Sequence, residues 1–588
     1  MTTRNAVLGS RGRLLAGLAT VALFGSGLVQ AAPDALSAPD LSCPDAYPVS
    51  DLAADQLVTG LTVTKGVTPA EFDGKIIGVL HDGIAPGIDM IMAELHSDQI
   101  DKTGIWQGMS GSPVYSEDNR LIGAVSYGLA FGPSEVAGIT PAADMQALLD
   151  AGVAKQATLD AAKQTRRVDV TDKQAAAISR QTDVSAAQAD NGFARLRMPL
   201  LVSGNRARLN HAAKALGMKN VHAFGGTTSS ALAAPSDIVA GGNLAATESY
   251  GDLTSGGIGT ATAVCGDQVV AFGHPMFFSG ASQLTMHGAD ALYIQTDPTL
   301  AGFKVANITG PAGSILGDHR AGISGVVGTM PDTTTVSAQV STVDGASRDG
   351  VTNISVPDSV PGISAFHLLT DEDRVFDQLG AGTARVRWTV EGLREDGTPF
   401  EFSRVNRFAS PFDITFETIF ESYDQLSRII NNRFEDVTIT DVSYRSLLDP
   451  EYRAYRLGRV ERRVGGEWVK LSRHNAARIN GGSVMHLRVE LRPVDDSDTV
   501  FVPVNLQVPE SRRRSFGSLQ IAGGGSLFDR SHASSFEGLL DSLENATPNN
   551  AVVAALTVER RGPASQTTAS SVTDQVVQGR FGIGLRIV

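Results

Sequence analysis

Short apolar stretches separated by glycine- and proline-rich turns recur along most of the chain, and they limit the possible folds more than any other feature. Residues 60–64, 75–80 and 120–127 each read as a short strand. Turn signals come roughly every 8 to 12 residues, as in sandwiches and barrels. The composition agrees, since 62 glycines and 25 prolines accompany only 6% aromatic residues. The pattern predicts a mainly β protein and excludes an all-helical bundle.

The chain is long enough to form several domains with hydrophobic cores. At about 150 residues per domain, its 588 residues predict about four domains. Hydrophobic residues make up 42% and charged residues 19%, which is typical of globular proteins. The formal net charge of -14 argues against a nucleic-acid partner, because affinity for a phosphate backbone comes largely from basic surface.

The first 31 residues have the layout of a secretory signal peptide. Arg4, Arg11 and Arg13 form a basic start, residues 14–29 are apolar, and residues 29–31 (VQA) fit a cleavage site. The alternative is a membrane anchor, but a short apolar stretch interrupted by glycines spans a bilayer poorly. We therefore predict a secreted or cell-envelope protein, in which cleavage removes three arginines and lowers the net charge from -14 to -17.

Two cysteines, Cys43 and Cys265, bear on the compartment. Exported chains can form disulfides, and free thiols are a liability in an oxidising environment, so we expect one bridge between them. The alternative is two unconnected thiols, one before Pro44 and one at a strand end. Two cysteines cannot build a cysteine-rich zinc site.

Two helices stand out from the β pattern. The first has Thr140 as its N-cap and Pro141 at its first position, and it ends before Gly152. The second starts at Pro411 and carries an aromatic and aliphatic face that runs from Phe412 to Ile430, which predicts core packing. After the first helix, residues 153–192 are rich in Ala, Gln, Thr and Asp, which predicts a helical linker.

Beyond about residue 440 the chain again reads as strands. Apolar and polar residues alternate over 485–492 and over 502–508, which is typical of antiparallel strands with one buried face. Further upstream, residues 259–264 and 268–272 flank a Gly-Asp turn and predict a β-hairpin. We expect the last part of the chain to form a separate antiparallel sandwich.

Residues 108–113 (GMSGSP) are the most informative stretch for chemistry. A nucleophilic serine needs a tight turn that exposes its hydroxyl and lets backbone N–H groups converge on the developing oxyanion. Ser110 is the candidate nucleophile, and the amides of Gly108 and Ser110 are the candidate oxyanion hole. The alternative is a glycine turn without a catalytic role. The α/β-hydrolase elbow is not matched, because Ser112 stands where its last glycine would be.

His274 is the candidate base among the 11 histidines. It ends a predicted strand and is framed by Gly273 and Pro275, whereas the other histidines lack such framing. Histidine is the usual base for a nucleophilic serine, and the alternative is a hydrogen-bonded structural histidine. A metal site of His274, His287 and His319 lacks a recognised ligand spacing, and we expect no metal or other cofactor.

These motifs resemble those of one protease family. Residues 103–115 (TGIWQGMSGSPVY), followed by 121–125 (LIGAV), resemble the serine motif of the stage IV sporulation protein B peptidase family. Residues 270–274 (VAFGH) resemble its Gly-His motif. Two further stretches, residues 60–63 with 72–80 and residues 310–328, also look like members of this family, and the resemblance covers roughly 49–340, about half of the mature chain.

The resemblance implies a chymotrypsin-like double β-barrel serine endopeptidase with a Ser/His/Asp triad. Ser110 carries over as the nucleophile and His274 as the general base. The prototype places its histidine before its serine, whereas here Ser110 precedes His274 by 164 residues. Triads are defined by geometry and not by chain order, so a permuted barrel order is compatible with the family.

The triad carboxylate stays open. When the Thr-Gly before the serine motif is aligned with the family, the triad Asp falls on His96. The remaining candidates are Glu94, Asp98, Asp101 and Asp318, and the sequence does not choose among them.

The predicted fold is mainly β: a chymotrypsin-like double β-barrel in permuted order, with a helical connector and a C-terminal β-sandwich-like accessory region. Its parts are a signal peptide (1–31), a first barrel segment with the serine motif (45–152), a helical linker (153–192), a second barrel segment with the Gly-His motif (193–345), a strand and helix connector (346–440) and a C-terminal β domain (441–588).

We expect a secreted serine endopeptidase that cleaves protein or peptide substrates through a Ser/His acyl-enzyme, with its C-terminal region associated with the cell envelope. The alternative is a catalytically inactive secreted protein that binds peptides or acts as an envelope scaffold. His96 at the expected Asp favours this alternative. A secreted adhesin is a third reading, which rests only on the C-terminal strands.

Overall fold

Strands dominate the structure, which is 52% strand and 18% helix and confirms the mainly β prediction. The computed structural model describes residues 43–150, 167–196, 200–202, 204–217, 231–299, 301–472, 477–495, 498–510, 515–524, 533–560 and 562–588. The predicted signal peptide and residues 153–166 of the predicted linker lie outside these ranges. Within them, no helix has both the length and the apolar character that a membrane crossing requires.

The elements fall into three groups along the chain. The first group consists of β1 (Leu57–Thr62), β2 (Ala70–Ala85), β3 (Ile88–His96), α1 (Ile100–Thr103), β4 (Pro113–Ser116), β5 (Leu121–Leu129), β6 (Val136–Pro141), α2 (Ala142–Asp150), β7 (Arg167–Val168), α3 (Asp172–Gln181), α4 (Ala186–Ala189) and β8 (Phe193–Arg195). The second group consists of β9 (Leu200–Val202), α5 (Arg206–Ala215), β10 (Asn243–Gly251), β11 (Ser255–Cys265), β12 (Gln268–Ala271), β13 (Gly280–Gln295), β14 (Phe303–His319), β15 (Gly322–Val327), β16 (Thr334–Thr342), β17 (Ser347–Ile354), α6 (Val360–Phe376), β18 (Gly382–Arg394), β19 (Pro399–Ser410), α7 (Ile414–Glu417), α8 (Ile419–Ile430) and β20 (Val437–Asp449). The third group consists of β21 (Ala454–Val464), β22 (Glu467–Lys470), β23 (Ala477–Ile479), β24 (Val484–Pro493), β25 (Val500–Gln507), β26 (Ser515–Gly523), α9 (Phe536–Glu544), β27 (Ala551–Arg560), β28 (Gly562–Val572), β29 (Val576–Gln578) and β30 (Arg580–Ile587).

Strands β1 to β6 form a closed antiparallel barrel. They pair in the order β4-β1-β2-β3-β6-β5, and β4 also pairs with β5, which closes the ring. A cluster of buried apolar residues from these strands and their connections includes Phe72, Ile91 and Trp106. Strands β8 and β7 extend the sheet outward from β5. The described part of the predicted linker is helical in α3 and α4, and its β7 joins this sheet.

Strands β10 to β15 form a second closed circuit of antiparallel pairs. Their order is β10-β13-β14-β15-β12-β11, and β11 pairs back with β10. The predicted hairpin is confirmed, since Cys265 of β11 lies opposite Gln268 of β12. If the six strands of each barrel are numbered 1 to 6 along the chain, their order around the ring is 1-2-3-6-5-4 in both barrels. The two barrels therefore share one topology.

The second sheet continues past its barrel. Strand β17 pairs with β10, and β16, β20, β18 and β19 follow in that order, with β16 and β20 parallel. Helices α6 and α8 pack on these strands over a large apolar cluster. The boundary drawn at 345 falls in the turn between β16 and β17, and the boundary drawn at 440 falls inside β20.

Both predicted helices are present, but each begins later than expected. Thr140 and Pro141 end strand β6, and α2 follows them. Thr140 is therefore two residues before the start of α2 and not at its N-cap, and its hydroxyl donates to the carbonyl oxygen of Gly273 at 2.6 Å. Phe412, which was expected on the buried face of the second helix, is 82% exposed, and Asp413 caps α7 instead.

The third group forms two five-stranded sheets. One has the order β22-β21-β24-β25 with β29 beside β21, and the other has the order β23-β30-β26-β27-β28. Their inward-facing residues share one apolar core, which includes Leu487 of β24 and Leu519 of β26. Helix α9 packs away from this core, with Phe536 against Phe400 of β19.

A disulfide joins Cys43 to Cys265 at the end of β11, across a sequence separation of 222. The expected bridge is therefore present. It ties the start of the described chain to the hairpin that leads to His274.

Candidate active site

The serine loop, residues 104–112, leads into β4 and lies between the third and fourth strands of the first barrel. Gly111 has a φ of 99°, a region that favours glycine. A Cβ at Gly111 would lie 1.9 Å from the carbonyl oxygen of Thr260 and 2.6 Å from the nitrogen of Phe272. Only glycine allows this approach, so the serine loop contacts the second barrel directly.

Hydrogen bonds attach the serine loop to both barrels. The Thr260 N–H donates to the Ser110 carbonyl oxygen at 2.8 Å, and the Thr262 hydroxyl donates to the Gly111 carbonyl oxygen at 2.8 Å. On the other side, the Gly111 N–H donates to the carbonyl oxygen of Val125 on β5 at 2.8 Å. The loop is therefore fixed between the two barrels.

Ser110 is completely buried, and its hydroxyl has no hydrogen-bond partner among the described residues. Among the residues that the structure describes, no acceptor takes a hydrogen bond from the backbone N–H of Gly108 or from that of Ser110. Buried polar groups are paired in the great majority of cases, so unpaired ones require an explanation. These groups are the hydroxyl and the two amides that the sequence assigns to nucleophile and oxyanion hole.

His274 occupies the matching connection of the second barrel, between its third and fourth strands, β12 and β13. The preceding backbone is strained, because Phe272 has a φ of 70°, which a bulky residue rarely adopts. Gly273 follows with a φ of 64°, and a Cβ there would lie 2.0 Å from Ser126 Oγ. Ser126 follows Val125, the residue to which the serine loop is bonded. The structure thus brings the two predicted motifs together.

The imidazole of His274 is 1% exposed, and its Nδ1 lies 3.0 Å from the carbonyl oxygen of Pro275. Since a carbonyl oxygen only accepts, Nδ1 carries the proton and Nε2 has a lone pair. Burial, together with the positive charge of Arg195, lowers the pKa of His274 to about 3, so the ring is neutral. Among the described residues Nε2 has no hydrogen-bond partner, and it is therefore not bonded to Ser110.

Three of the four candidate carboxylates lie apart from His274. Glu94 forms an ion pair with Lys75 at 3.0 Å. Asp101 lies 3.0 Å from Nδ1 of His96, and both side chains are about half exposed. Asp98 is exposed. In the described structure no hydrogen bond or ion pair joins any of them to the imidazole of His274.

Asp318, the fourth candidate, acts on the segment that follows His274. It lies near the end of β14, is fully buried, and accepts hydrogen bonds from the N–H groups of Met276, Phe277 and Phe278 at 2.8, 2.6 and 2.7 Å. Burial raises the pKa of Asp318, and these N–H groups oppose the shift. Asp318 therefore fixes the backbone that follows His274, without a hydrogen bond or ion pair to its ring.

Lys304 is a buried cation beside the serine loop that the sequence analysis missed. Its backbone N–H donates to the carbonyl oxygen of Gln107 at 2.9 Å, and its side-chain Nζ donates to Asn243 Oδ1 at 2.7 Å. Asn243 in turn lies opposite Thr260, which holds the serine loop. Burial lowers the pKa of Lys304 to about 7. The sequence did hold one signal for this burial. Lys304 and Ala306 are two residues apart on one strand, so their side chains point to the same buried face.

His274, His287 and His319, the three histidines considered for a metal site, do not form a cluster that could hold a metal ion. His287 uses both ring nitrogens on protein atoms, with Nε2 2.9 Å from Thr247 Oγ1 and Nδ1 3.0 Å from the carbonyl oxygen of Thr309. Over the ranges that the structure describes, no group of three His, Cys, Asp or Glu side chains could hold a metal ion.

Comparison of the chain with protein-family models, with curated proteins and with solved structures finds no match. The interpretation of the site therefore rests on its geometry and on the resemblance of its motifs.

Proposed function

We propose that this protein is a secreted serine endopeptidase of the stage IV sporulation protein B peptidase type, with Ser110 as nucleophile and His274 as base. The observation that carries the proposal is the set of unpaired polar groups where the barrels meet: the Ser110 hydroxyl, the His274 Nε2 and the amides of Gly108 and Ser110. An unpaired buried polar group costs about 1 to 3 kcal/mol, and here four such groups of the serine and histidine motifs lie where the two barrels meet.

The topology of the barrels supports the same proposal. Two successive closed circuits of six antiparallel strands support a chymotrypsin-like double barrel, and the circuit with the serine loop comes first along this chain. Ser110 and His274 lie in the same connection of their respective barrels, between the third and fourth strands. Each barrel thus contributes one of the two reacting side chains.

In the proposed reaction, His274 Nε2 takes the hydroxyl proton as Ser110 Oγ attacks the carbonyl carbon of the scissile bond. The amides of Gly108 and Ser110 stabilise the negative charge that forms on the carbonyl oxygen. The imidazolium then protonates the leaving amine, and water hydrolyses the acyl-enzyme by the same proton transfers. The carbonyl oxygen of Pro275 holds Nδ1–H and so keeps the tautomer that this sequence needs.

The described conformation is closed, and the proposal requires it to open. Ser110 and His274 are 0% and 1% exposed, so a polypeptide substrate cannot reach them. Burial also makes the imidazole a weak base, since it is the main cause of the pKa of about 3. Hydration on opening moves this pKa toward its ordinary value of about 6.5. Opening therefore admits substrate and strengthens the base together.

The second candidate is a catalytically inactive protein that binds peptides or acts as an envelope scaffold. It is favoured by the burial of Ser110 and by the carbonyl oxygen that takes the place of a carboxylate on His274 Nδ1. The two candidates differ in one measurable property, the reactivity of the Ser110 hydroxyl.

Labelling with a fluorophosphonate tests the proposal. A serine activated by a neighbouring imidazole reacts much faster than an ordinary hydroxyl. We expect labelling of the mature protein at Ser110, none in Ser110→Ala, and a rate lower by about 10⁴-fold in His274→Ala. Labelling is followed from room temperature to just below the unfolding midpoint, because local opening becomes more frequent on warming.

Ser116→Ala is the matched control. Ser116 is buried like Ser110, but its hydroxyl donates to Asp118 and accepts from the Arg120 N–H. This variant should be labelled like the wild type. If folded wild-type protein stays unlabelled at Ser110 at every temperature, the peptidase proposal fails and the scaffold takes its place.

A further inference from the structure

One face of the C-terminal sandwich is basic in a chain that is otherwise acidic. Residues 451–588 contain 18 basic and 14 acidic residues, a balance of +4, whereas residues 1–450 contain 31 and 49, a balance of -18. The basic face is the outer surface of the sheet formed by β21, β22, β24 and β25. It is defined by six cations and two carboxylates, Arg456, Arg459, Arg463, Lys470, Arg488, Arg492, Glu461 and Glu490.

The strand register places these side chains on one surface. Glu461 lies opposite both Lys470 of β22 and Arg488 of β24, and Arg456 lies opposite Arg492. Residues directly opposite in antiparallel strands share a face, and the alternate residues of β24 fill the core. Cations therefore outnumber carboxylates by six to two on a surface that faces solvent.

Arg488 is held rigidly at the centre of the basic face. Its Cζ lies 4.7 Å from the ring centroid of Trp468 and 4.8 Å from that of Phe501. Its Nε donates to Glu461. A guanidinium that is already fixed by rings and a carboxylate loses less conformational entropy when it binds an anion.

Glu490 organises two further arginines. It accepts hydrogen bonds from Nε of Arg459 and from Nε of Arg492, whose side chains are 47% and 60% exposed. Although burial opposes the effect, these hydrogen bonds lower the pKa of Glu490 to about 2. The carboxylate is thus ionised at neutral pH and keeps both guanidinium groups in place at the surface.

We propose that the basic face binds a linear acidic polysaccharide whose sugars carry carboxylates. A sheet surface with cations on several neighbouring strands fits an extended polymer, and its charge complements a polyanion. Guanidinium groups match carboxylates through paired N–H donors, which give geometric selectivity as well as attraction. The inference does not depend on the peptidase proposal, because it concerns a different domain and a different ligand.

Single-stranded nucleic acid fits this face less well. Proteins bind such strands by stacking bases on open aromatic rings. On the basic face guanidinium groups already lie over the rings of Trp468 and Phe501, and Phe501 is 40% exposed. The structure therefore favours a carboxylated glycan over a polynucleotide.

Affinity electrophoresis of the mature full chain tests the inference, with polygalacturonate as the probe and neutral dextran as the reference polymer. We expect polygalacturonate to retard the protein, dextran not to retard it, and the effect to weaken as salt is raised. Arg463→Gln combined with Lys470→Gln should lower the affinity at least about tenfold, because charge-assisted contacts are the strongest polar contacts of such a surface. Thermal unfolding checks that each variant is folded.

Lys173→Gln combined with Arg180→Gln is the matched control, since it removes the same charge from exposed positions of α3. This control should bind like the wild type. Arg488→Lys keeps the charge but loses the planar guanidinium, and this variant should bind polygalacturonate more weakly than the wild type. It tests the inference also in the case that the double variant of the basic face does not fold. The inference is overturned if polygalacturonate does not retard the protein, if the control loses as much affinity, or if single-stranded DNA is retained more strongly.

Discussion

Lys304 is 1% exposed, and burial lowers its pKa to about 7, whereas an unfolded chain gives a lysine about 10.4. Between these two values the unfolded state binds more protons than the folded state. The free energy of unfolding therefore contains a contribution that rises with pH across this window. At pH values below this window, the folded protein carries a buried ammonium group with Asn243 as its hydrogen-bond partner.

We predict that Lys304→Met stabilises the protein more at neutral pH than at about pH 10. At neutral pH the substitution removes a buried charge, whereas at high pH it removes an amine that is already uncharged. As the pH rises from about 7 to about 10, the difference in free energy of unfolding between Lys304→Met and the wild type should shrink by at most about 1.4 kcal/mol per pH unit. Denaturant unfolding at several pH values measures it.

Lys214→Met, at an exposed position of α5, is the control for Lys304. Its effect on stability should not change with pH over this range. A Lys304→Met effect that is equally independent of pH would contradict the assignment of Lys304 as a lysine that is neutral at high pH and costly when charged.

At the scale of elements, one carboxylate holds the segment between β12 and β13. Asp318 accepts four backbone N–H groups, from Met276 to Ser279, the last at 3.4 Å. This segment follows His274 directly, and Phe278 within it has a φ of 64°. The segment that follows the imidazole is therefore held by a residue that has no hydrogen bond or ion pair to the ring.

We predict that Asp318→Asn weakens this segment and slows labelling at Ser110. An amide offers one acceptor oxygen in place of two, so at least one N–H group is left unpaired, at a cost of about 1 to 3 kcal/mol. Thermal unfolding and fluorophosphonate labelling measure the two effects on the same sample.

Asp290→Asn on β13 is the comparison, because Asp290 is exposed. It should alter neither stability nor labelling. If Asp318→Asn is less stable but is labelled as fast as the wild type, Asp318 supports the fold without positioning His274.

At the scale of the whole molecule, the start of the described chain fastens the two barrels to each other. Tyr47 N–H donates to the carbonyl oxygen of Leu121 on the first barrel at 2.8 Å. Four residues earlier, Cys43 is bonded to Cys265 on the second barrel. The residues enclosed by the disulfide include the whole first barrel, which makes the closed loop long.

We predict that replacing both Cys43 and Cys265 with Ser lowers the free energy of unfolding by up to about 5 kcal/mol, the loop-entropy value for a closure of this length. Reduction of the wild type should lower its unfolding midpoint in the same way and leave the double variant unchanged. Thiol counting in denatured, unreduced protein from its native compartment gives an independent check. Two free thiols there would refute the bridge.

The sequence by itself determined the features that depend on neighbouring residues. Alternation and turn residues specify strands locally, so the mainly β class and the hairpin of β11 and β12 were predictable. The framing of Ser110 and His274 by glycines was also visible, because tight turns impose local backbone requirements. The pairing of the two cysteines was predictable from their number together with the predicted export of the chain.

Only the tertiary structure decided what depends on residues far apart in the chain. Asp318 bonds to a segment about 40 residues away, and Lys304 to Asn243 across 61 residues. Ring closure in each barrel, the later start of both predicted helices and the burial of Ser110 likewise depend on long-range packing. Local preferences are weak compared with such packing and cannot specify which distant surface a residue meets. The choice of carboxylate was open for this reason, and in the described structure none of the four candidates forms a hydrogen bond or an ion pair with the His274 imidazole.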